Sequence, residues 1–219
     1  WQQQRQFVAD ASHELKTPLT VILANTGLVL SHPEDTVAAQ SKWLEYTHDE
    51  AEQMKELVDD LLFLAKSDAA RQPAARAETA MSEVALGCLL PFESVAFEAG
   101  VALEHRIPPG LSLRGDEGQL RRLVMILLDN AVKYTPAGGK IAVTVRPWQF
   151  YTRVDISDTG IGIPEEHYND VFQRFYRATE VADQVGLYLA NGIITRQKGY
   201  ISVKSIVGEG TNFSVYLLS

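Results

Sequence analysis

The stretch FVADASHELKTPLT, residues 7–20, places a histidine, a glutamate and a threonine just ahead of a proline in what otherwise reads as a helix. A neutral imidazole is a usable nucleophile near pH 7, and a neighbouring carboxylate can take the proton from its second nitrogen as a bond to an electrophile forms. His13 and Glu14 together suffice for that chemistry. On a helical wheel His13 lies about 160° from both Ala11 and Leu15, so its ring points to solvent and not into the apolar seam. Thr17 shares that face one turn on, whereas Glu14 sits about 100° round the helix. Pro18 cannot donate to the carbonyl of Glu14 and its ring crowds that oxygen, which predicts a bend just after His13. An exposed helical histidine is ordinarily a plain surface residue, and His32, His48, His105 and His167 read that way. Spacing by itself leaves both readings of His13 open.

The elements that must carry these residues follow from periodicity. From Gln2 to about Ala70 the pattern is helical with one interruption, SHPEDT at residues 31–36, where Pro33, Glu34 and Asp35 suit the first turn of a second helix. Leu44, Thr47, Ala51, Met54, Val58, Leu61 and Ala65 recur in steps of three and four, the seam of a helical bundle. Val8, Ala11, Leu15, Leu19, Ile22, Thr26 and Val29 do the same in the first helix, with a phase shift beside Pro18. Each helix spans roughly 30 residues, about 45 Å. Leu57, Leu62 and Leu64 widen the second stripe beyond what one partner helix covers. An antiparallel hairpin pairing with a second copy, a homodimeric four-helix bundle, buries both stripes.

Residues 71–82 are short-chained and contain Pro73, so they read as a linker between a hairpin at 1–70 and a second domain at 83–219. In that domain IAVTV (141–145), VDI (154–156), ISVKS (201–205) and FSVYL (213–217) alternate as strands, with VGEGT as a hairpin turn. Helical periodicity occupies about 83–99, 116–134 and 186–198. A mixed sheet with helices on one face, a two-layer α/β sandwich, is the economical arrangement.

Composition narrows the function classes. Of 219 residues 46% are hydrophobic, enough for an ordinary core, and the net charge of -8 with scattered basic residues argues against nucleic acid. The lone Cys88 cannot form an internal disulfide and reads as a buried thiol. No run of about 18 apolar residues occurs. The expectation is a cytoplasmic chain, the cytoplasmic part of a membrane-anchored sensor, with membrane contact only through an upstream segment not present in it.

FVADASHELKTPLT resembles, nearly position for position, the phosphoacceptor box of the sensor histidine kinases of two-component signalling. The resemblance implies that His13 is phosphorylated, that Glu14 is its general base, and that Thr17 orients water for dephosphorylation of a partner. The same family carries an ATP-binding domain whose motifs appear here in order. LLDNAVKYTP (127–136) resembles the asparagine box, implying Asn130 as a Mg²⁺ ligand, Lys133 near phosphate and Tyr134 beside the nucleotide. An amide oxygen suits Mg²⁺ and a lysine neutralises phosphate as a point charge. DISDTGIGIP (155–164) resembles the first glycine box, implying that Asp158 accepts the adenine amine while Gly160 and Gly162 let backbone approach the base. Alone, that D-x-G-x-G also reads as a turn after a strand. VFQRFYR (171–177) resembles the phenylalanine box, with Phe172 and Phe175 as anchors and Arg174 or Arg177 reaching phosphate. Gly186 and Leu187 begin a helix aimed at phosphate, and Thr211 fits the last glycine box.

Three positions depart from the family pattern. Ile126 stands where a second asparagine is common. Tyr188 stands where many members have glycine, which matters only if that position needs positive φ and not a place in a helix first turn. The lid at 178–184 is short. The implied function is ATP- and Mg²⁺-dependent autophosphorylation of His13 and phosphotransfer to an aspartate of a response regulator, allowing phosphatase activity on that regulator. Two rivals stand beside it: a nucleotide- or regulator-holding scaffold without turnover, and an ATPase of the wider superfamily that forms no phosphohistidine.

Overall fold

The computed structural model describes residues 2–69, 77–173 and 185–219, with side chains for all of these except 2–10, 14, 56, 60, 63–69 and 185. The chain divides into two compact units, Trp1–Arg71 and Gln72–Ser219.

The first unit is a helical hairpin of α1 (Gln2–Ser31) and α2 (Val37–Ala69). α1 continues through Pro18. The connection differs from the expectation at Pro33, Glu34 and Asp35. These lie in the turn, and α2 has no acidic residue in its first turn. The reason is the cap: Thr36 Oγ1 accepts from the N–H of Ala39 at 3.2 Å, so the helix starts after Thr36 and the proline serves the turn. Gln40 donates from Nε2 to the carbonyls of Val29 (3.3 Å) and His32 (2.6 Å), satisfying acceptors at the end of α1.

Packing splits the expected seam in two. Ala11, Pro18 and Asn25, spaced by seven, are the buried positions among the described side chains of α1, and Leu15, Ile22, Thr47, Met54 and Leu61 are half-buried. Leu19, Leu44 and Val58 of the same seam are exposed, as are Leu23, Leu30 and Leu62. Part of this surface forms a groove of about 410 Å³ lined by Leu19, Ile22, Ala51, Met54, Lys55, Val58 and Asp59.

The second unit is a sandwich of two layers. Strands β2 (Ala102–Arg106), β4 (Lys140–Trp148), β5 (Tyr151–Asp158), β7 (Gly210–Leu218) and β6 (Tyr200–Ile206) form a five-stranded sheet in the order β2-β4-β5-β7-β6. β2 runs parallel to β4 and every other pair is antiparallel. Helices α3 (Met81–Glu98), α4 (Glu117–Tyr134) and α5 (Val185–Arg196) make the other layer, with α4 packed against both α3 and α5. Leu120, Leu127 and Leu128 of α4 and Ile193 and Ile194 of α5 meet Ile141, Val143, Ile156 and Val215 of the sheet in a core where each is at most 1% exposed.

The segment read as a linker over 71–82 ends in structure. Ala77–Ala80 is strand β1, paired antiparallel with β3 (Ser112–Gly115), and Met81 and Ser82 already belong to α3. Thr79 explains the anchoring: it is buried and its hydroxyl donates to the carbonyl of Gly115 at 3.0 Å. Among the described residues no helix is long and apolar enough to cross a membrane.

Candidate functional site

A constellation of polar groups in the second unit lies where β5 ends and β7 begins. Register places Asp158 opposite Thr211, and Thr211 opposite Ser205, so the three form one row across β5, β7 and β6. Asp158 Oδ1 accepts from the backbone N–H of Gly160 at 2.8 Å and of Thr211 at 3.2 Å. Burial pushes the Asp158 carboxyl above its ordinary value, and those two N–H donors pull the other way. With both bonds on Oδ1, Oδ2 is the oxygen left for a donor on a ligand.

The loop after Asp158 is tied down on both sides. Ile161 donates its N–H to the carbonyl of Tyr134 at the end of α4 (3.2 Å), and Gly208 donates to the carbonyl of Ile161 (2.8 Å). Two glycines are required by this closeness. A Cβ on Gly160 would overlap the Tyr134 carbonyl oxygen, and Gly162 combines φ of 74° with a Cβ direction that runs into the carbonyl of Ile206. The motif D-x-G-x-G is thus a built cradle and more than a turn.

α4 brings Asn130 to the same region. Its Nδ2 donates to the carbonyl of Ile126 at 2.8 Å, which holds the amide and leaves Oδ1 as a hard acceptor. The start of α5 lies beside it: a Cβ on Gly186 would sit 3.2 Å from Ile126 Cγ2 and 3.9 Å from Asn130 Nδ2. Ile126 is buried, so the position where the family often has asparagine packs against α5 and offers no polar atom. Leu187 is 2% exposed, which leaves its main chain, not its side chain, for any ligand. Tyr188 lies in α5 and is not among the residues with positive φ, so the departure from glycine carries no strain. Lys133 is exposed, with Nζ 5.8 Å over the Tyr134 ring. Phe172 meets Phe213 edge to face at 6.3 Å. Arg174, Phe175, Arg177 and the short lid at 178–184 lie outside the described residues.

On the hairpin His13 and Thr17 are both exposed, as the helical wheel requires, while the side chain of Glu14 lies outside the described set.

Family comparison matches both units. Residues 3–70 match the family described as the His Kinase A (phospho-acceptor) domain, and residues 115–219 match the histidine kinase-, DNA gyrase B- and HSP90-like ATPase. The chain belongs to the sensor histidine kinases. The sensor histidine kinase YkoH of Bacillus subtilis is 35% identical over 217 residues, covering 96% of this chain and 47% of that protein. The phosphate regulon sensor protein PhoR of Pseudomonas aeruginosa is 32% identical, covering 98% of this chain and 50% of its own length. The chain therefore spans about half the length of the curated relatives it matches. Among solved structures, histidine kinase ThkA in complex with the response regulator protein TrrA superposes with a TM-score of 0.77 at 20% identity, over 97% of this chain and 61% of that one.

Two residues beside Asp158 were not singled out by sequence. Ser205 and Tyr168 lie beside the Asp158–Thr211 row, yet each looks like an ordinary strand or loop residue until the fold joins them across 37 positions.

Proposed function

We propose that this chain is the catalytic core of a histidine kinase, transferring the γ-phosphoryl group of ATP to His13 and from there to an aspartate of a response regulator. The observation that carries the reading is that one chain holds both an exposed imidazole at position 13 and the backbone-braced carboxylate Asp158. In this reading the hairpin dimerises and carries the phosphoryl group, and the sandwich binds nucleotide.

Asp158 Oδ2 accepts the exocyclic amine of adenine, and the cradle at Gly160 and Gly162 lets main chain reach the ring. The positive end of the twelve-residue helix α5 and the ammonium of Lys133 offset phosphate charge. Asn130 Oδ1 is one oxygen ligand for Mg²⁺. Mg²⁺ held there would take its remaining ligands from phosphate oxygens and water, the usual habit of this ion. Mg²⁺ when bound neutralises charge on the leaving diphosphate. His13 attacks with one ring nitrogen as Glu14 receives the proton from the other, and Thr17 orients water when the regulator is dephosphorylated. ThkA, solved with its regulator, supports a regulator as acceptor here.

The exposed apolar residues Leu19, Leu44 and Val58 and the groove lined by Leu19 and Val58 support a homodimer, because a second hairpin would remove that surface from water. Incubation with γ-labelled ATP tests the kinase reading. Wild type is expected to gain acid-labile, base-stable label and His13→Gln none, while His13→Gln still binds nucleotide and Asn130→Asp does not. Label retained by His13→Gln would remove His13 from the mechanism.

A further inference from the structure

The base end of the cradle contains one hydroxyl whose hydrogen bonds can be counted in full. Ser205 Oγ accepts from the N–H of Ile163 at 2.7 Å and lies 2.8 Å from the carbonyl oxygen of Gly210 and 2.9 Å from Thr211 Oγ1. A carbonyl has no proton to give, so the single Ser205 proton goes to Gly210. The contact with Thr211 can then be a hydrogen bond in one direction only, with Thr211 donating. Thr211 has already committed its N–H to Asp158 Oδ1. What remains on its side chain is acceptor capacity alone, in the same row as Asp158, whose Oδ2 is likewise an acceptor.

We propose that Ser205 is a specificity-determining residue of the nucleotide site. By taking the Thr211 proton it makes the base-reading edge all acceptor, so the site takes a purine bearing an amino group and refuses one bearing a carbonyl oxygen at that position. The inference rests on the nucleotide reading of the Asp158 site given above. Position supports it: β6 is the edge strand, and Tyr168 covers that edge at Ser205, its hydroxyl accepting from the Ser205 N–H at 2.9 Å and donating to the Ser205 carbonyl. The serine is thereby held from both sides of its own backbone. Ser205→Ala would free the Thr211 proton, allowing that hydroxyl to turn and donate to a carbonyl.

Titration calorimetry of the whole chain with ATP and with ITP, which carries oxygen in place of the amine, tests this. Wild type is expected to prefer ATP by about tenfold or more, since a site built for a donor rejects a ligand lacking it. Ser205→Ala is expected to narrow that ratio at least about fivefold, and Ser205→Thr, which keeps the hydroxyl, to restore it. Tyr168→Phe removes the brace without changing the proton count, so it should weaken both nucleotides alike and leave the ratio unchanged. A merely structural serine would give that same uniform loss in Ser205→Ala, and such a result overturns the proposal. If Ser205→Ala does not fold, Ser205→Cys, nearly isosteric and with a thiol that accepts only weakly, likewise frees the Thr211 proton and carries the same expected narrowing and the same refutation. Wild type that binds neither nucleotide would instead refute the nucleotide reading itself, and wild type that binds both equally refutes the role of Ser205.

Discussion

In the proposed function Asp158 accepts an amine as a carboxylate, and its surroundings resist that charge. Burial raises its pKa, against the opposing N–H bonds from Gly160 and Thr211. An acid whose folded pKa exceeds its unfolded one favours the native state below the unfolded pKa and loses that contribution as pH rises through the folded pKa. At pH 7 the charge on Asp158 is therefore a stability cost carried for function. Asp158→Asn keeps an oxygen for both N–H donors and drops the charge. It is expected to melt above wild type at neutral pH without ligand, with the gap closing as pH falls through the Asp158 titration, and to lose ATP binding. Calorimetric melts from acid to neutral pH, with and without ATP, check both halves; a variant that melts below wild type at pH 7 contradicts this account of the site.

The hairpin of β6 and β7 supplies the wall of the cradle through its backbone, and the glycines at its turn are not equivalent. Gly210 has φ of 126°, and a Cβ there would overlap the carbonyl oxygen of Asp158, whereas Gly208, at φ of 83°, faces open space. Gly208→Ala should cost about 1 kcal/mol, the price of φ alone. Gly210→Ala adds a backbone collision that must push β7 from β5, and should cost about 3 kcal/mol or more and weaken ATP binding through the displaced Thr211 N–H. Urea unfolding of the two variants side by side measures the difference, and equal losses would mean that β7 can shift without harm. α5 shows the opposite case. Tyr188 replaces a glycine common in the family at no conformational cost, because helical φ suits any L-residue.

The whole hairpin exposes apolar side chains that its own two helices cannot cover. Leu19 is 45% and Val58 38% exposed on either side of one groove. Burying a leucine is worth roughly 1.5–3 kcal/mol, so a stripe of six such residues is a strong drive to pair with a second copy. Leu19→Glu with Val58→Glu is expected to convert a dimer into a monomer in light scattering while the melting of the sandwich and its ATP affinity stay unchanged. Wild type of monomeric mass at micromolar concentration would remove the four-helix bundle from the proposal.

Much of this was legible in the residues themselves. Long 3.6-residue periods announced α1, α2 and the three helices of the sandwich, and period-two alternation announced strands β4 to β7, because one buried face imposes its period on the chain. The glycine box at 158–162 was readable by resemblance alone, and the structure adds why 160 and 162 are glycine: backbone crowding there leaves no room for a Cβ. β1, β2 and β3 were not readable: they are short, half-exposed segments whose strand form comes from the partner they pair with and not from their own pattern. Nor could periodicity say which seam residues turn inward and which stay outside, as Met54 and Val58 do. The direction of the Thr211 proton lay furthest from view. It depends on Ile163, Ser205 and Gly210 meeting at hydrogen-bond distance, and only the register of strands far apart in the chain decides which donors and acceptors must satisfy one another.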